Sequence, residues 1–346
     1  MQHVESILIC DIPSSILSVP FWQADLHIHL YTLSAEGSAA ETLEGASDVT
    51  AYHEWMLPCT EFHNLWEHLV FEEEIKADLL NYATAAFFFS KHNVNPTIIS
   101  LNRVLLLHGP PGTGKTSLCK ALAQKLSIRY YSQYHHIALI EINSHSLFSK
   151  WFSESGKLVM KLFDYIHDLL ANADTLLFIL IDEVESLSAS RKASLSGSEP
   201  SDGMRVVNAL LTQIDKLRNN ADVMILTTSN LSGSIDDAFI DRADIKRFIG
   251  NPGMRARFLI LRDCLEELMR TAIIQDSIPR FDYETVMASE GSDEVFSLFR
   301  ECVYESDGLS GRCLRKLPFQ AYAMWLCGST VSLKEYLNAL KRSVIV

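Results

Sequence analysis

Short apolar runs alternate with longer amphipathic stretches through the middle of the chain. The apolar runs have the length of strands and occupy residues 103–108, 139–142, 176–181 and 223–228. The stretches between them have helical spacing and occupy residues 115–126, 156–170 and 204–217. The run 176–181 has no polar residue, as expected for a strand covered on both faces. This alternation predicts an α/β fold with a parallel sheet between helices.

The two ends of the chain have other patterns. Residues 1–57 contain β-rich stretches at Ile7–Ile9 and Leu26–Leu33 and an exposed loop at Ser34–Asp48, which predicts a short α+β region. A helix is predicted from Glu72 to Ser90. Beyond the break at Gly250–Gly253 the pattern is helical, over residues 254–270, 293–304, 312–326 and 333–342. We therefore predict three regions with the bounds 1–57, 58–250 and 251–346.

Composition narrows the possible functions. Hydrophobic residues make up 48% of the 346 residues, enough for a folded core. The 30 basic and 43 acidic residues give a net charge of −13, which argues against a protein that mainly coats nucleic acid or an anionic membrane. Seven scattered cysteines, with no Cys-x-x-Cys pair, favour reduced thiols. With no secretory signal or bilayer-spanning run visible, we expect a cytosolic or nuclear protein.

The strongest chemical signal is a phosphate-binding loop between a predicted strand and a predicted helix. It comprises Gly109, Pro110, Pro111, Gly112, Thr113, Gly114, Lys115 and Thr116, and Ser117 follows it. Glycines at these positions let backbone N–H groups surround phosphate oxygens at a helix N-terminus. Lys115 is expected to reach the outer phosphates of ATP, and the Thr116 hydroxyl to hold Mg²⁺.

Two carboxylates end the apolar run at 176–181. Asp182 is expected to bind the metal, directly or through water, and Glu183 to polarise a water for attack on the γ-phosphate. The presence of Glu183 favours hydrolysis over nucleotide binding alone.

Three further polar residues follow in order. Asn230 ends the run at 223–228 and is expected to bond the attacking water or the γ-phosphate. Arg242 is either a surface residue or an arginine finger for a neighbouring subunit, and Arg312 offers another cation from the helical region. The ordered set resembles the AAA+ ATPases. A GTPase is disfavoured because no Asn-Lys-x-Asp sequence occurs, and a small-molecule kinase would not need this series.

A closer resemblance is to the pachytene-checkpoint protein 2 family. It rests on Ser144–Lys157, Glu183–Leu187, Asp241–Ile245 and Gly308–Pro318, and extends from about Trp55 to about Leu340. The resemblance implies an AAA+ ATPase domain at 58–250, a small helical lid at 251–346 and an N-terminal recognition region at 1–57. It implies that Arg242 is the arginine finger and Arg312 the sensor arginine of the lid.

The same resemblance implies a function. The family forms homo-hexamers that use ATP and Mg²⁺ to convert HORMA-domain proteins from closed to open forms, with a HORMA-like adaptor. Lys150, Trp151 and Phe152 match its central pore loop, where Trp151 would grip substrate, although burial in the core is the commoner fate of tryptophan. Ser188–Ser201 corresponds to the second pore loop. The expected setting is the nucleus and chromosomes, on meiotic axes and kinetochores, and also the cytoplasm.

One departure leaves alternatives open. Only about 57 residues precede the ATPase module, which implies a shortened recognition region and puts recognition of the HORMA protein and the adaptor in doubt. A nucleotide-regulated HORMA-binding scaffold without unfolding activity is the first alternative. A DNA-remodelling AAA+ protein is the second, and the net charge of −13 argues against it. We expect no membrane binding and no direct nucleic-acid binding.

Overall fold

The fold was analysed in a computed structural model of the 346-residue chain. The residues that the structure describes are 4–9, 20–23, 27–41, 52–71, 74–92, 94–95, 97–144, 155–171, 174–186, 202–218, 220–230, 235, 237–276, 282–288, 293–326 and 330–345. The predicted pore residues Lys150, Trp151 and Phe152 lie outside them, as does the predicted loop Ser188–Ser201.

Strands and helices alternate through the central part of the chain. The strands are β1 (Ala39–Glu41), β2 (Tyr52–Met56), β3 (Val104–His108), β4 (His136–Asn143), β5 (Thr175–Asp182), β6 (Val223–Ser229) and β7 (Ile245–Phe248). The helices are α1 (Leu65–His68), α2 (Ile75–Lys91), α3 (Lys115–Tyr130), α4 (Ser155–Ala171), α5 (Asp202–Leu217), α6 (Asp237–Arg242), α7 (Met254–Arg270), α8 (Tyr283–Ala288), α9 (Glu294–Glu305), α10 (Gly311–Trp325) and α11 (Leu333–Ile345). A short 3₁₀ turn lies at Phe21–Gln23.

The strands form one sheet in the order β1-β2-β4-β5-β6-β3-β7. The pairs from β4 to β7 are parallel, so β3, β5 and β6 end at the same edge of the sheet. Strands β1 and β2 are antiparallel additions beside β4. The predicted α/β fold with a mostly parallel sheet is therefore confirmed. The antiparallel strands β1 and β2 extend this sheet beyond what was predicted.

Strand β5 shows why the sheet is covered on both faces. Its residues Leu177, Ile179 and Ile181 pack into one apolar cluster, which includes Phe163 of α4 and Leu210 of α5. The alternate residues Leu176, Phe178 and Leu180 pack into the opposite cluster, which includes Leu118 and Leu122 of α3 and Phe87 of α2. Successive side chains of a strand point to opposite faces, so an uninterrupted apolar run serves two helical layers.

The N-terminal prediction needs correction. Residues 7–9 form no strand, Ile7 is 83% exposed, and the described part of Leu26–Leu33 contains no strand either. The strands lie instead at β1, inside the predicted loop, and at β2, where Tyr52 and Trp55 are buried. Because β2 pairs with β4, the central sheet extends across the predicted boundary at residue 57. Apolar composition alone was misleading, since a strand is stabilised by its neighbours in the sheet.

The C-terminal helices α7–α11 enclose a core of their own. Phe258, Phe299, Tyr336 and Leu314 are fully buried in it. Arg257 of α7 is buried too; its guanidinium donates to the carbonyl of Val303 at 3.2 Å and pairs with the exposed Asp307. Val70, from the segment between α1 and α2, packs against this core and links the two parts of the chain. No described helix is both long enough and apolar enough to cross a membrane.

Candidate nucleotide site

The phosphate-binding loop connects the end of β3 to the start of α3. Gly109, Gly112 and Gly114 have φ values of 147°, 78° and 95°, in a region that favours glycine. A Cβ atom at Gly109 would lie 2.1 Å from the carbonyl oxygen of Ile249, which leaves no room for a side chain. The Thr113 hydroxyl donates to the carbonyl oxygen of Pro110 at 3.0 Å. The glycines thus shape a tight concave turn at the N-terminus of a 16-residue helix.

Lys115 is buried and folded back over this loop. Its Nζ donates to the carbonyl oxygens of Gly109, at 2.9 Å, and Pro110, at 2.7 Å. Burial is the main cause of a lowered pKa at Lys115; the charges of Glu185 and Asp182 oppose the shift, and that of Arg312 adds to it. The ammonium group is therefore held at the loop by acceptors that phosphate oxygens could replace.

The proposed metal ligands are already in contact. The Thr116 hydroxyl, on the first turn of α3, donates to Oδ1 of Asp182 at 2.9 Å, and the Thr228 hydroxyl donates to the same oxygen. Asp182 ends β5 and Thr228 lies near the end of β6, so the parallel sheet brings them to one edge. A hydroxyl and a carboxylate oxygen form the hard oxygen set that Mg²⁺ prefers beside phosphates. The residues present fit Mg²⁺ with a nucleotide.

Glu183 and Asn230 meet beside this contact. Glu183 has a φ of 57°, a left-handed conformation that is costly for a glutamate. Its backbone N–H donates to the Thr228 hydroxyl at 3.3 Å. The Asn230 side-chain amide donates to Oε1 of Glu183 at 3.3 Å. The strained turn thus points the carboxylate toward the residue that follows β6.

The lid contacts the phosphate-binding loop directly. The backbone N–H of Arg312 donates to the carbonyl oxygen of Gly112 at 3.0 Å. The Ser310 hydroxyl caps α10 by accepting from the N–H of Cys313, and a Cβ atom on Gly112 would lie 2.8 Å from that hydroxyl. The Arg312 side chain is exposed, and its charge acts on Lys115. The start of α10 therefore closes over the loop.

Arg242 is the last residue of α6, just before β7. Its guanidinium makes a two-pronged contact with Asp215 of α5, with both nitrogen–oxygen distances 2.7 Å. It also donates to the carbonyl oxygen of Ala238 at 2.7 Å. The side chain of Arg242 is 27% exposed and that of Asp215 is 50% exposed, so the pair lies at the surface. In one subunit, Arg242 is thus held by residues other than those of the phosphate-binding loop.

Sequence reasoning assigned no role to two residues of this site. Thr228 bonds Asp182, and Glu185 accepts the backbone N–H of Asn230 through Oε1 at 3.1 Å. The position of Thr228 before Asn230, at a strand end, was a usable signal. Glu185 lies in the segment that carries the family resemblance, but its contact was not predictable, because beyond Asp182 the chain has left β5 and strand periodicity no longer says where a side chain points. Of the remaining predicted residues, Pro111 is exposed, whereas Ser117 is partly buried on α3.

Two family profiles match consecutive parts of the chain. A sequence profile of the ATPase family associated with various cellular activities (AAA) matches residues 105–251. A profile described as TRIP13-like, AAA+ ATPase lid C-terminal domain matches residues 253–345. Among solved structures, that of C. elegans PCH-2 has a TM-score of 0.79 and 40% identity, covering 92% of this chain and 80% of that chain.

More distant and closer relatives are also informative. A chain of the E. coli MS115-1 HORMA:CdnC:Trip13 complex has a TM-score of 0.64 at 17% identity, covering 84% of this chain and 94% of that chain, a likeness in fold. The pachytene checkpoint protein 2 homolog of Xenopus tropicalis is 50% identical over 352 residues, covering 99% of this chain and 82% of its own. The Homo sapiens homolog is 49% identical, covering 99% of this chain and 81% of its own. The chain therefore belongs to the pachytene checkpoint protein 2 homolog family of AAA ATPases.

Proposed function

We propose that this protein hydrolyses ATP to remodel HORMA-domain proteins. The observation that carries the hydrolytic part is the convergence of Lys115, Thr116, Asp182, Glu183 and Asn230 at one edge of the sheet, with the contacts given above. Each of these groups has a role in phosphoryl transfer to water. Their joint placement is far more specific than a phosphate-binding loop alone.

The chain's own residues divide the work. Loop N–H groups and Lys115 bind the phosphates, and Thr116 and Asp182 would hold Mg²⁺. A bound Mg²⁺ supplies charge neutralisation on the phosphate oxygens. Glu183 accepts the proton of the attacking water, while Asn230 fixes the direction of the Glu183 carboxylate. The backbone hydrogen bond from Arg312 to Gly112 connects the lid to the phosphate-binding loop.

We propose that Arg242 completes the site of a neighbouring subunit in a homo-hexamer. Its surface position supports this role, as does the paired Asp215, which keeps the guanidinium oriented in the absence of a neighbour. An arginine supplied in trans contributes about 10³–10⁵-fold to the rate of phosphoryl transfer in related systems. One subunit alone would then be a poor enzyme.

A mixing experiment tests the shared site. Arg242→Ala and Glu183→Gln are each expected to be almost inactive alone. Co-expressed with two tags and purified through both, the mixed assembly should regain part of the wild-type ATPase rate. In it, an intact Glu183 of one subunit meets an intact Arg242 of the next. A mixed assembly as inactive as its parents would exclude Arg242 as a residue acting between subunits.

The substrate class rests on family membership and on the sequence match to the pore loop. The distant structural neighbour comes from a complex that contains a HORMA protein, which supports the same class for this chain. In this proposal Trp151, between Lys150 and Phe152, grips an extended segment of the HORMA protein, and a HORMA-like adaptor delivers it. The protein would work in the nucleus, on meiotic axes and kinetochores, and in the cytoplasm.

The deciding measurement is the steady-state ATPase rate with and without a HORMA substrate plus adaptor. Stimulation that is lost in Trp151→Ala, with the basal rate kept, is the expected result. Binding of the HORMA protein without stimulation or opening would instead support the scaffold alternative. Stimulation by DNA and not by HORMA proteins would support a DNA-remodelling enzyme.

A further inference from the structure

Glu185 is a second glutamate beside Glu183 that the mechanism above does not use. It lies partly buried at the start of the helical segment that follows β5. Oε1 of Glu185 accepts the backbone N–H of Asn230 at 3.1 Å. Oε2 is buried and has no hydrogen-bond partner among the described residues. Oε1 thus accepts a hydrogen bond, whereas Oε2 is buried without one, which costs free energy.

The contact with Asn230 links the two glutamates. Asn230 is bonded through its backbone N–H to Glu185 and through its side-chain amide to Oε1 of Glu183. Asn230 is the first residue after β6, where the ladder no longer fixes the backbone. The Glu185 carboxylate therefore sets the direction of this turn, and the turn sets the position of the amide that holds Glu183.

The buried oxygen also has an electrostatic neighbour. Among the charges that act on the Lys115 ammonium, that of Glu185 is the largest, ahead of Asp182 and Glu183. An opposite charge that acts on a buried ammonium offsets part of the cost of burying it. The charge of Glu185 thus also acts on the phosphate-binding loop, through Lys115.

We infer that Glu185 is a positioning residue for ATP hydrolysis, holding Asn230 so that Asn230 can hold Glu183. This inference rests on the proposed ATPase function. It predicts that the hydrogen bond to Asn230, and not the charge of Glu185, carries most of the effect. Because nucleotide is bound by the loop, Lys115 and Thr116, losing Glu185 should lower kcat without raising the KM for ATP.

Two variants separate these contributions. Glu185→Gln keeps an oxygen that accepts the Asn230 N–H, and should retain kcat within about threefold of wild type. Glu185→Ala removes the acceptor, and should lower kcat about ten- to a hundredfold, in line with the cost of leaving the Asn230 N–H without a partner. KM for ATP should change less than about threefold in both. Glu141→Ala on β4, which breaks a partly buried pair with Lys120 of α3, is the matched control and should keep kcat.

A double-mutant cycle shows whether the effect passes through Asn230. If it does, Glu185→Ala should cost little further rate in an Asn230→Ala background, so that the two losses are far from additive. Additive losses, an unchanged kcat in Glu185→Ala, or a loss that appears mainly as a raised KM would each overturn the inference. Absence of hydrolysis in the wild-type chain would instead overturn the proposed function, which keeps the two failures distinct.

Discussion

The two edges of the parallel sheet use polar residues in opposite ways. At the lower edge, where β3 and β7 begin, the buried guanidinium of Arg103 donates to the carbonyl oxygens of Val223, Arg218 and Asn220 and to the Ser90 hydroxyl. The Asp244 carboxylate there accepts the backbone N–H groups of Asn102 and Arg103 and the Tyr82 hydroxyl. At the upper edge, where β3, β5 and β6 end, the bonds of Lys115 within the described part of the chain go to loop carbonyls alone. Oε2 of Glu185 has no hydrogen-bond partner there.

The difference between the two edges indicates that they have different roles. Hydrogen bonds at the lower edge connect chain segments that are distant in sequence, such as Arg103 and Val223, and they satisfy the groups that they bury. Hydrogen bonds at the upper edge hold charged groups whose present partners a polyphosphate could replace. The backbone there is strained as well, since Glu183 has a left-handed conformation. The lower edge should therefore govern stability, and the upper edge should govern rate. Four substitutions test this contrast.

Glu183→Gln should have the largest effect. Removing the base should lower kcat about 10²–10⁴-fold, with ATP still bound and the free energy of unfolding nearly unchanged. Steady-state kinetics, nucleotide binding and denaturant unfolding measure the three quantities. Glu301→Gln, at an exposed lid pair with Lys341, is the control that should leave all three unchanged. Near-normal turnover in Glu183→Gln would remove this residue from catalysis.

Arg103→Met should be the largest perturbation of the lower edge. It keeps a long side chain but leaves the carbonyl groups of Arg218, Asn220 and Val223 without this donor, so unfolding should become easier by about 3 kcal/mol. Urea unfolding gives the value, and KM for ATP should stay within about threefold. Arg247→Met, at an exposed pair with Asp78, should cost under about 1 kcal/mol. Equal costs in the two variants would contradict the special role of this edge.

Gly112→Ala tests the contact between the upper edge and the lid. The change combines a strained φ of 78° with a collision against Ser310, and should raise the KM for ATP several-fold and cost about 1–2 kcal/mol of stability. Gly308→Ala has a similar φ of 77° but open space around it, so it should show the backbone cost alone. If both variants raise KM equally, the contact with the lid is unimportant.

Asp215→Asn should have the smallest effect on stability. The pair with Arg242 is partly exposed, and such pairs contribute about 0.2–1 kcal/mol. Its informative result is kinetic: an Arg242 freed from Asp215 should keep at least wild-type ATPase activity in the assembled protein. A hundredfold loss would show that Asp215 acts in catalysis and does more than hold the arginine.

The sequence predicted the upper edge better than the lower one for a physical reason. Phosphate binding demands glycines at Gly109, Gly112 and Gly114 and a lysine at a fixed distance, so spacing alone revealed the loop. Likewise, uninterrupted apolar runs revealed β3 and β5, because both faces of those strands are covered. Glu185 and Arg103 were missed, since their partners are backbone groups on distant segments and a backbone group leaves no signature in sequence.

The N-terminal residues show where sequence patterns predicted structure that is not formed. Ile7, Leu8 and Ile9 have strand-like composition, yet all are exposed and unpaired in the sheet. Tyr52–Met56 form a strand because β4 offers a free edge and the cluster around Leu118 receives Trp55. Composition describes the segment itself but not the neighbouring strand with which it must pair. The pore residues and Ser188–Ser201 lie outside the described residues, so those expectations remain predictions.

The hydrogen bond from the Arg312 N–H to the Gly112 carbonyl also offers a way to follow opening of the lid. An amide near the start of a helix has no acceptor within that helix, so this N–H depends on the neighbouring domain for protection from solvent. Its exchange with deuterium should therefore be slow while the lid is shut and fast once it swings away. The exchange rate of this one backbone proton, measured by mass spectrometry or NMR, would report opening of the lid at each stage of the nucleotide cycle without a chemical probe attached to the protein.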